Sequence, residues 1–344
     1  MNDEHLWAIC ARNSQYSDAS AMRTTAVVIP CYESARFVEE TVRSVLTQTR
    51  PPQRIVVVDP SSSDRPELAL AELLATEPSL TVVRVENQGV AAHRNLGFAE
   101  VGPANHVLFL DADDVLESRM LETLVGHLED HPEAGIAWCL PSFIDQASVP
   151  LQAPAWTPRY EPRGRFGIRT VEPERPETPF RALLALAGVV PSLAVMRCSV
   201  FATTGGFDEQ FGHGFEDTDL ILRMGLRAEV HHISEALVRH RRHPTQLTTD
   251  PGKLVRQQLR LYARWRDLSW LSPEHAETVR TAWRFVDRRI VPAQAVKAAR
   301  LHTRAGRPDR AVRFLGGAAR IAALSWLARG TSPAPLASGS GSAR

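Results

Sequence analysis

The chain has 344 residues, of which 44% are hydrophobic, and a formal net charge of +1. That length accommodates one large domain with an appendage, or two domains, around a sizeable core. The absence of any run of about 18 apolar residues excludes a membrane-spanning helix. Asp3 and Glu4 stand where a secretory leader would be basic, and Cys10, Cys31, Cys139 and Cys198 lack metal-ligand spacing, so a cytoplasmic protein with buried free thiols is expected.

Residues 1–22 are polar and aperiodic and read as a loose tail, with Met22 an alternative start. Ala26 to Ile29 reads as a first strand ended by Pro30. A helix follows with Ser34 as N-cap and Phe37, Val38, Thr41, Val42, Val45 and Leu46 on its apolar face, up to Pro51-Pro52. Arg54 to Asp59 is a second strand. Asp64, with Glu67 three residues on, predicts a capped helix through Leu74. Leu80 to Val85 is a third strand and Val90 to Ala99 a short helix. His106 to Leu110 is a fourth strand, followed by a helix from Ser118 to Asp130 and a fifth strand from Gly135 to Leu140. Alternation at this spacing predicts an α/β fold with a mostly parallel sheet and flanking helices.

Residues 141–180 hold eight prolines and no clear period, which predicts a functional or mobile loop. A helix over Phe180 to Ala187 and a strand over Ser192 to Met196 follow. Helical patterns then run over Leu254 to Trp265, Glu274 to Arg289, Gln294 to His302 and Asp309 to Leu327. The Ser/Gly/Pro/Ala-rich residues 330–344 are expected to be disordered. The predicted organisation is a tail (1–22), an α/β domain (23–250), a helical extension (251–329) and a second tail (330–344).

Charge is uneven. Residues 251–329 carry 17 Lys+Arg against 5 Asp+Glu, whereas residues 1–250 carry 22 against 34. The basic segment suits an anionic partner, such as a membrane surface, or pairing with the acidic half. On the last predicted helix Val312, Leu315, Ala319, Ala322 and Trp326 form one stripe beside a strongly basic face, a pattern that either docks on the protein or lies in a membrane interface.

The densest chemical signal is His106-Val107-Leu108-Phe109-Leu110-Asp111-Ala112-Asp113-Asp114, an apolar strand running out into three carboxylates. In open α/β sheets ligands bind at such carboxyl ends. Asp111 and Asp113 alternate along the chain and so share a face, where a Mg²⁺ or Mn²⁺ ion shared with a phosphate would relieve their repulsion; a capped strand end, with Asp114 starting the next helix, is the other reading. Neither G-x-G-x-x-G nor G-x-x-x-x-G-K follows the first strand, which argues against a dinucleotide-binding dehydrogenase or a P-loop enzyme.

Five segments resemble glycosyltransferase family 2, the inverting enzymes of the GT-A (nucleotide-diphospho-sugar transferase) fold. They are Val27-Val28-Ile29-Pro30-Cys31-Tyr32-Glu33; Val56-Val57-Val58-Asp59 with Pro60 to Asp64; Asn87-Gln88-Gly89 through Arg94-Asn95; Leu110-Asp111-Ala112-Asp113-Asp114; and Gly205-Gly206-Phe207-Asp208-Glu209 with Glu216-Asp217-Thr218-Asp219-Leu220. They run from about 25 to 250, in family order. The resemblance implies attack by an acceptor hydroxyl on a nucleotide-diphosphate sugar, with inversion. It implies Asp217 as general base, with Glu216 and Gly206 on the acceptor side. Pro30, Tyr32, Glu33, Asp59, Ser61, Arg94 and Asp111 would contact the donor, and Asp111, Asp113 and His243 would hold Mn²⁺ or Mg²⁺. The family usually places an acid or asparagine after Asp59; here Pro60 has neither a side-chain acceptor nor an N–H, leaving Asp59 or Ser61 to substitute.

Gln257-Gln258-Leu259-Arg260-Leu261 lacks the tryptophan of the Q-x-x-R-W motif carried by polymerases of the family. A non-processive enzyme is therefore expected, acting on a glycan, lipid-linked or natural-product acceptor and not on nucleic acid. Peripheral membrane contact would run through the basic helix. A sugar-phosphate nucleotidyltransferase of similar fold and a non-catalytic sugar-nucleotide or glycan-binding protein are the alternatives. His231-His232 has no counterpart in the resemblance and reads as structural, as do Trp138 and Phe143.

Overall fold

A computed structural model describes residues 24–152, 190–211 and 214–244, and individual residues between 261 and 319. The chain divides into two compact units, Met1–Val279 and Arg280–Arg344. The two predicted tails, the helix over Phe180 to Ala187 and residues 153–180 of the proline-rich stretch lie outside the described residues, as does much of the helical extension.

The first unit is built on β1 (Thr25–Pro30), α1 (Ala35–Leu46), β2 (Arg54–Asp59), the short helices α2 (Pro66–Ala69) and α3 (Ala71–Thr76), β3 (Leu80–Arg84), α4 (Val90–Glu100) and β4 (His106–Phe109). It continues with β5 (Val115–Leu116), α5 (Met120–Asp130), β6 (Ala134–Ile144), β7 (Pro150–Leu151), β8 (Ala194–Arg197), α6 (Cys198–Thr204), α7 (Glu216–Gly225) and β9 (Glu229–Arg241). One sheet orders them 3-2-1-4-8-6-9-5, with β7 paired to β6. β1 to β4 are mutually parallel, β8 runs against both β4 and β6, and β9 is parallel to β6. Most strands thus point one way, as the α/β reading predicts, and the carboxyl ends of β1, β2 and β4 fall along one edge.

The period-2 geometry of the strands divides the core. Val27, Ile29, Ile55, Val57, Leu108 and Leu110 belong to a cluster with Val38, Val42 and Val45 of α1 and Leu121, Leu124, Val125 and Leu128 of α5. On the opposite parity, Phe109 meets Phe201 and Phe207 at ring-centroid distances of 5.0 and 4.9 Å. Cys31, Cys139 and Cys198 are buried free thiols, as expected; burial pushes the Cys139 thiol up to about 12.

Five local expectations change. Ser34 precedes α1, but its side chain makes no capping bond and its hydroxyl donates to the Tyr32 carbonyl. The cap comes from Asp64, whose Oδ2 accepts the Ala35 N–H at 2.7 Å, so Asp64 closes α1 and not the helix that follows it. That following helix is broken at Leu70 into α2 and α3, with Arg65 in the left-handed region at its start. β6 runs on through Pro141 to Ile144, where a loop is predicted. Register shifts on either side of Leu140 place Pro141 at an irregularity in the ladder, the setting in which a strand tolerates its missing N–H. Asp114 does not start α5, whose first residue is Met120; it is fully buried and grips β9.

In the second unit, residues 309–313, 315–316 and 319 of the predicted last helix are helical, and the helical state begins one residue earlier, at 308. Val312 and Leu315, of the predicted apolar stripe, are 69% and 45% exposed, and Ala319 is also exposed.

Gly97 lies where α4 crosses β1 and β2. A Cβ there would stand 2.3 Å from Val28 Cγ1 and 3.0 Å from Val58 Cγ2. Gly97→Ala improves helix propensity by about 1 kcal/mol, yet overpacking a close-packed core costs about 1–3 kcal/mol and the strand side chains have little room to yield. The variant is expected to be net destabilised, seen as a lower urea midpoint with an unchanged m-value.

Candidate active site

At the ends of β1 and β2 the chain makes two tight turns laced to each other. Pro30 is the last residue of β1, Tyr32 is 45% exposed, and Glu33 adopts φ 50°. The Glu33 carboxylate accepts the Ser63 N–H and hydroxyl at 2.9 and 3.0 Å, and the Glu33 N–H donates to Ser62 Oγ. Asp59 is fully buried; its Oδ1 accepts the Ser62 N–H at 2.7 Å and Arg84 Nε stands 3.8 Å from its Oδ2. Ser61 is exposed, with its hydroxyl donating to the Val85 carbonyl. Of the two residues able to take over from Pro60, Ser61 therefore faces solvent, while Asp59 holds the turn.

Arg94, on α4, is the hub of the site. Its side chain is 4% exposed, with Nη2 2.7 Å from Asp111 Oδ1 and Nη1 2.8 Å from Glu216 Oε1. The guanidinium also lies over the Phe207 ring at 5.2 Å. Burial alone would lower its pKa, but Asp111, Glu216 and Asp217 together raise it. Next to it Asn95 donates to the Phe207 carbonyl and accepts the Phe207 N–H, both at 2.9 Å, clamping the Gly205–Gly206–Phe207 turn onto α4. Gly206 is required here: its φ is +69°, and a Cβ would lie 2.7 Å from Asn95 Oδ1.

The three aspartates after β4 point to different partners. The Asp111 N–H donates to Ser192 Oγ, while its carboxylate turns to Arg94. Asp113 Oδ2 stands 2.8 Å from His243 Nε2, and the His243 ring packs 5.0 Å from that of Phe37. Asp114 Oδ1 accepts from His240 Nδ1 and from the Arg241 N–H. Burial would lower the His240 pKa, but the Asp114 carboxylate outweighs it and the group ends above its ordinary value. The fully buried Arg241 donates from Nε to the Asp113 carbonyl and from Nη2 to Glu40 Oε2. Asp113 and His243 are thus brought together, whereas Asp111, Asp113 and His243 do not gather as a close triplet among the described residues. The sequence reading missed Ser192, Glu40, His240 and Arg241 as site-building residues; the last two lie just before His243 in the basic run Arg239-His240-Arg241-Arg242-His243, where nothing local marks Arg241 as buried.

The acids opening α7 are also divided. Glu216 binds Arg94 and accepts the Gly214 N–H at 2.7 Å. Asp219, fully buried, binds Arg223 at 2.7 Å, accepts from Trp265 Nε1 at 2.9 Å and faces Arg264 Nε at 3.1 Å. Asp217 has no ion pair among the described residues; its Oδ1 accepts the N–H and hydroxyl of Thr218. Desolvation of the carboxyl and the neighbouring Glu216, opposed by Arg94, push its pKa up to about 7.

This architecture is that of the GT-A-type glycosyltransferases. S. aureus TarS 1-349, solved in complex with UDP-GlcNAc, superposes with a TM-score of 0.57 at 15% identity over 86% of this chain and 92% of that one. The mannosyltransferase PcManGT from Pyrobaculum calidifontis, solved with GDP-Man and Mn²⁺, has a TM-score of 0.57 at 17% identity over 94% and 91% of the two chains. In sequence the chain is similar to glycosyltransferase GlyG of Streptococcus pneumoniae serotype 4, 28% identical over 106 residues, 30% of this chain and 35% of that protein. Its matches span 16–40% of the length of three such curated relatives. The profile of Glycosyl transferase family 2 matches residues 26–204, and that of Glycosyltransferase like family 2 matches residues 177–275. The chain belongs to glycosyltransferase family 2.

Removing one member of a buried ion pair costs about 3–5 kcal/mol, because the remaining charge is left uncompensated. Arg94→Ala strands two carboxylates beside Asp217. It is expected to lower the unfolding free energy by about that amount in urea titrations monitored by circular dichroism.

Proposed function

We propose that the protein is an inverting, metal-dependent, non-processive glycosyltransferase that moves a sugar from a nucleotide-diphosphate donor to an acceptor hydroxyl. The observation that carries this reading is the division of labour at the start of α7. Glu216 and Asp219 are held in ion pairs, and Asp217 between them keeps a carboxyl free to take a proton. A raised pKa suits a general base working near neutral pH, where proton acceptance and ionisation are balanced. Transfer with a single inversion needs one such base on the face opposite the leaving diphosphate, and the Gly206–Phe207 turn clamped by Asn95 forms the acceptor side around it.

On the donor side, Pro30, Tyr32, Glu33, Asp59 and Ser61 border the nucleotide position, with Ser61 the exposed contact. Asp113 and His243 form the core of a divalent cation site, and Asp111, whose carboxylate is held by Arg94, would help through the donor ribose or an ion-bound water. Carboxylate oxygens with one imidazole fit Mn²⁺ or Mg²⁺. When bound, the ion neutralises charge on the leaving diphosphate. Arg94 serves beneath, holding Asp111 and Glu216 at a fixed spacing so that donor and base sit in register.

The donor class, a uridine or guanosine diphosphate sugar, is supported by the ligands named for TarS and PcManGT. We assign the transferase domain to residues 23–250 and take the acceptor to be a glycan, a lipid-linked sugar or a natural product. Among the described residues no helix is long and apolar enough to cross a membrane. A cytoplasmic site of action with peripheral membrane contact is supported by seven arginines against one acid over residues 300–329 and by exposed Val312 and Leu315.

Incubating the protein with UDP- and GDP-sugars, acceptor candidates and Mn²⁺ should release nucleoside diphosphate, and pyrophosphate release from a nucleotide triphosphate and sugar phosphate would refute the reading. Asp113→Asn is expected to abolish the Mn²⁺-dependent part of nucleoside diphosphate binding in calorimetry while leaving the fold intact; wild-type binding would remove Asp113 from the cation site. Asp217→Asn should preserve donor binding and lower turnover by about 10²-fold or more. Because the base must be deprotonated, wild-type kcat/KM should climb with pH and level off above about 7, and the Asn variant should lack that limb.

A further inference from the structure

A second cluster of ligand-type side chains lies at the opposite end of the strands. Asp111 follows the carboxyl end of β4; β6 and β9 run in the same direction as β4, and Glu133 and His231 stand at their amino ends. His127 comes from the last turns of α5, His131 and Glu133 from the turn into β6, and Glu229 and His231 from the start of β9.

One ligand atom each from His131, Glu133 and His231 lies within 4.8 Å of the other two. His131 Nδ1 and Glu133 Oε1 are 3.0 Å apart, close to the roughly 3.3 Å that separates ligand atoms around a tetrahedral zinc with bonds of about 2.0–2.1 Å. His231 is 1% exposed and its ring is fixed on both sides, by His127 Nε2 at 2.8 Å and Glu229 Oε2 at 3.0 Å. The backbone fixes the spacing as well: the Glu229 N–H donates to the Glu133 carbonyl and the His131 N–H to the His127 carbonyl. His131 and Glu133 remain partly open to solvent, with side chains 31% and 42% exposed, so an ion has a way in.

We propose that His131, Glu133 and His231 form a binding site for a zinc-class divalent ion, separate from the donor site. The chemistry of the donor set separates the two: one carboxylate with two imidazoles favours a borderline ion such as Zn²⁺, whereas Asp111 and Asp113 favour a hard one. The three imidazoles of His127, His131 and His231 pack with ring centroids 4.4, 5.0 and 5.3 Å apart. Both His231 nitrogens are engaged, Nδ1 by His127 and Nε2 by Glu229, so an ion displaces one of these partners and the other stays as the positioning residue that holds the ring. A bound ion would staple the α5–β6 turn to the start of β9, a structural role with a fourth position left to water.

The test uses the tag-free full chain, stripped with chelator, in the Asp113→Asn background so that the donor site is disabled. Zinc titration against a chromogenic chelator should show a bound equivalent whose affinity falls by at least about 10–100-fold on adding His131→Ala, the loss typical of removing even a ligand-orienting partner. Zinc should raise Tm in the Asp113→Asn protein and not in the double variant. Equal affinity and equal Tm response in the two proteins would overturn the proposal. Should His131→Ala fail to fold, Glu133→Gln, at an exposed side chain, must produce the same loss, and wild-type affinity there would likewise overturn it.

Discussion

One buried cation, Arg94, sets the geometry of the site. Arg94 leaves water almost completely, which is costly unless opposite charges and hydrogen bonds compensate. Compensation comes from two directions: Asp111 at the end of the parallel half of the sheet and Glu216 at the start of α7. Neither half of the site can shift without breaking one of these bonds. The cation therefore acts as a spacer between the donor edge and the acceptor helix, and the raised pKa of Asp217 is set in part by the same group of charges.

Around that hub the remaining polar burial is organised to immobilise loops. Asp219 gathers Arg223, Trp265 and Arg264, and Arg223 in turn donates to the carbonyls of Thr204 and Gly206. Asp114 and Arg241 do the same on the other flank, tying the aspartate turn to β9 and, through Glu40, to α1. Catalytic side chains on loops are only as precise as what holds them. Here ion pairs supply the hold, and β9 carries polar anchors at both of its ends.

Much of this was legible in the sequence because it is local. The strands β1 to β4 read correctly from short apolar runs, and the motif residues sit at their carboxyl ends, where the parallel topology gathers them. What was not legible depends on partners far along the chain. Asp64 carries the mark of a cap for its own helix, yet serves Ala35, 29 residues earlier. β9 was not read as a strand because EVHHISEALVRHR breaks alternation with His231, His232 and Arg241, all buried. Their burial is tolerable only because Glu229, Trp138, Asp113 and Glu40 meet them. Pro141 argued against a strand, and only the irregular register of β6 accommodates it. The separate duties of Glu216, Asp217 and Asp219 could not be told from adjacency; the ion pairs distinguish them.

The separation of Arg94 from Glu216, 122 residues, has a consequence for how the chain is made. At synthesis rates of about 5–20 residues per second, roughly 6–24 s pass between the emergence of the two side chains. During that interval the parallel half of the sheet can assemble around β1, but the guanidinium that must end up buried has only Asp111 to meet it. Until α7 leaves the ribosome the guanidinium is thus paired on one face only, with its other nitrogen left to water. The second half of the Arg94 pairing can form only once Glu216 has been made.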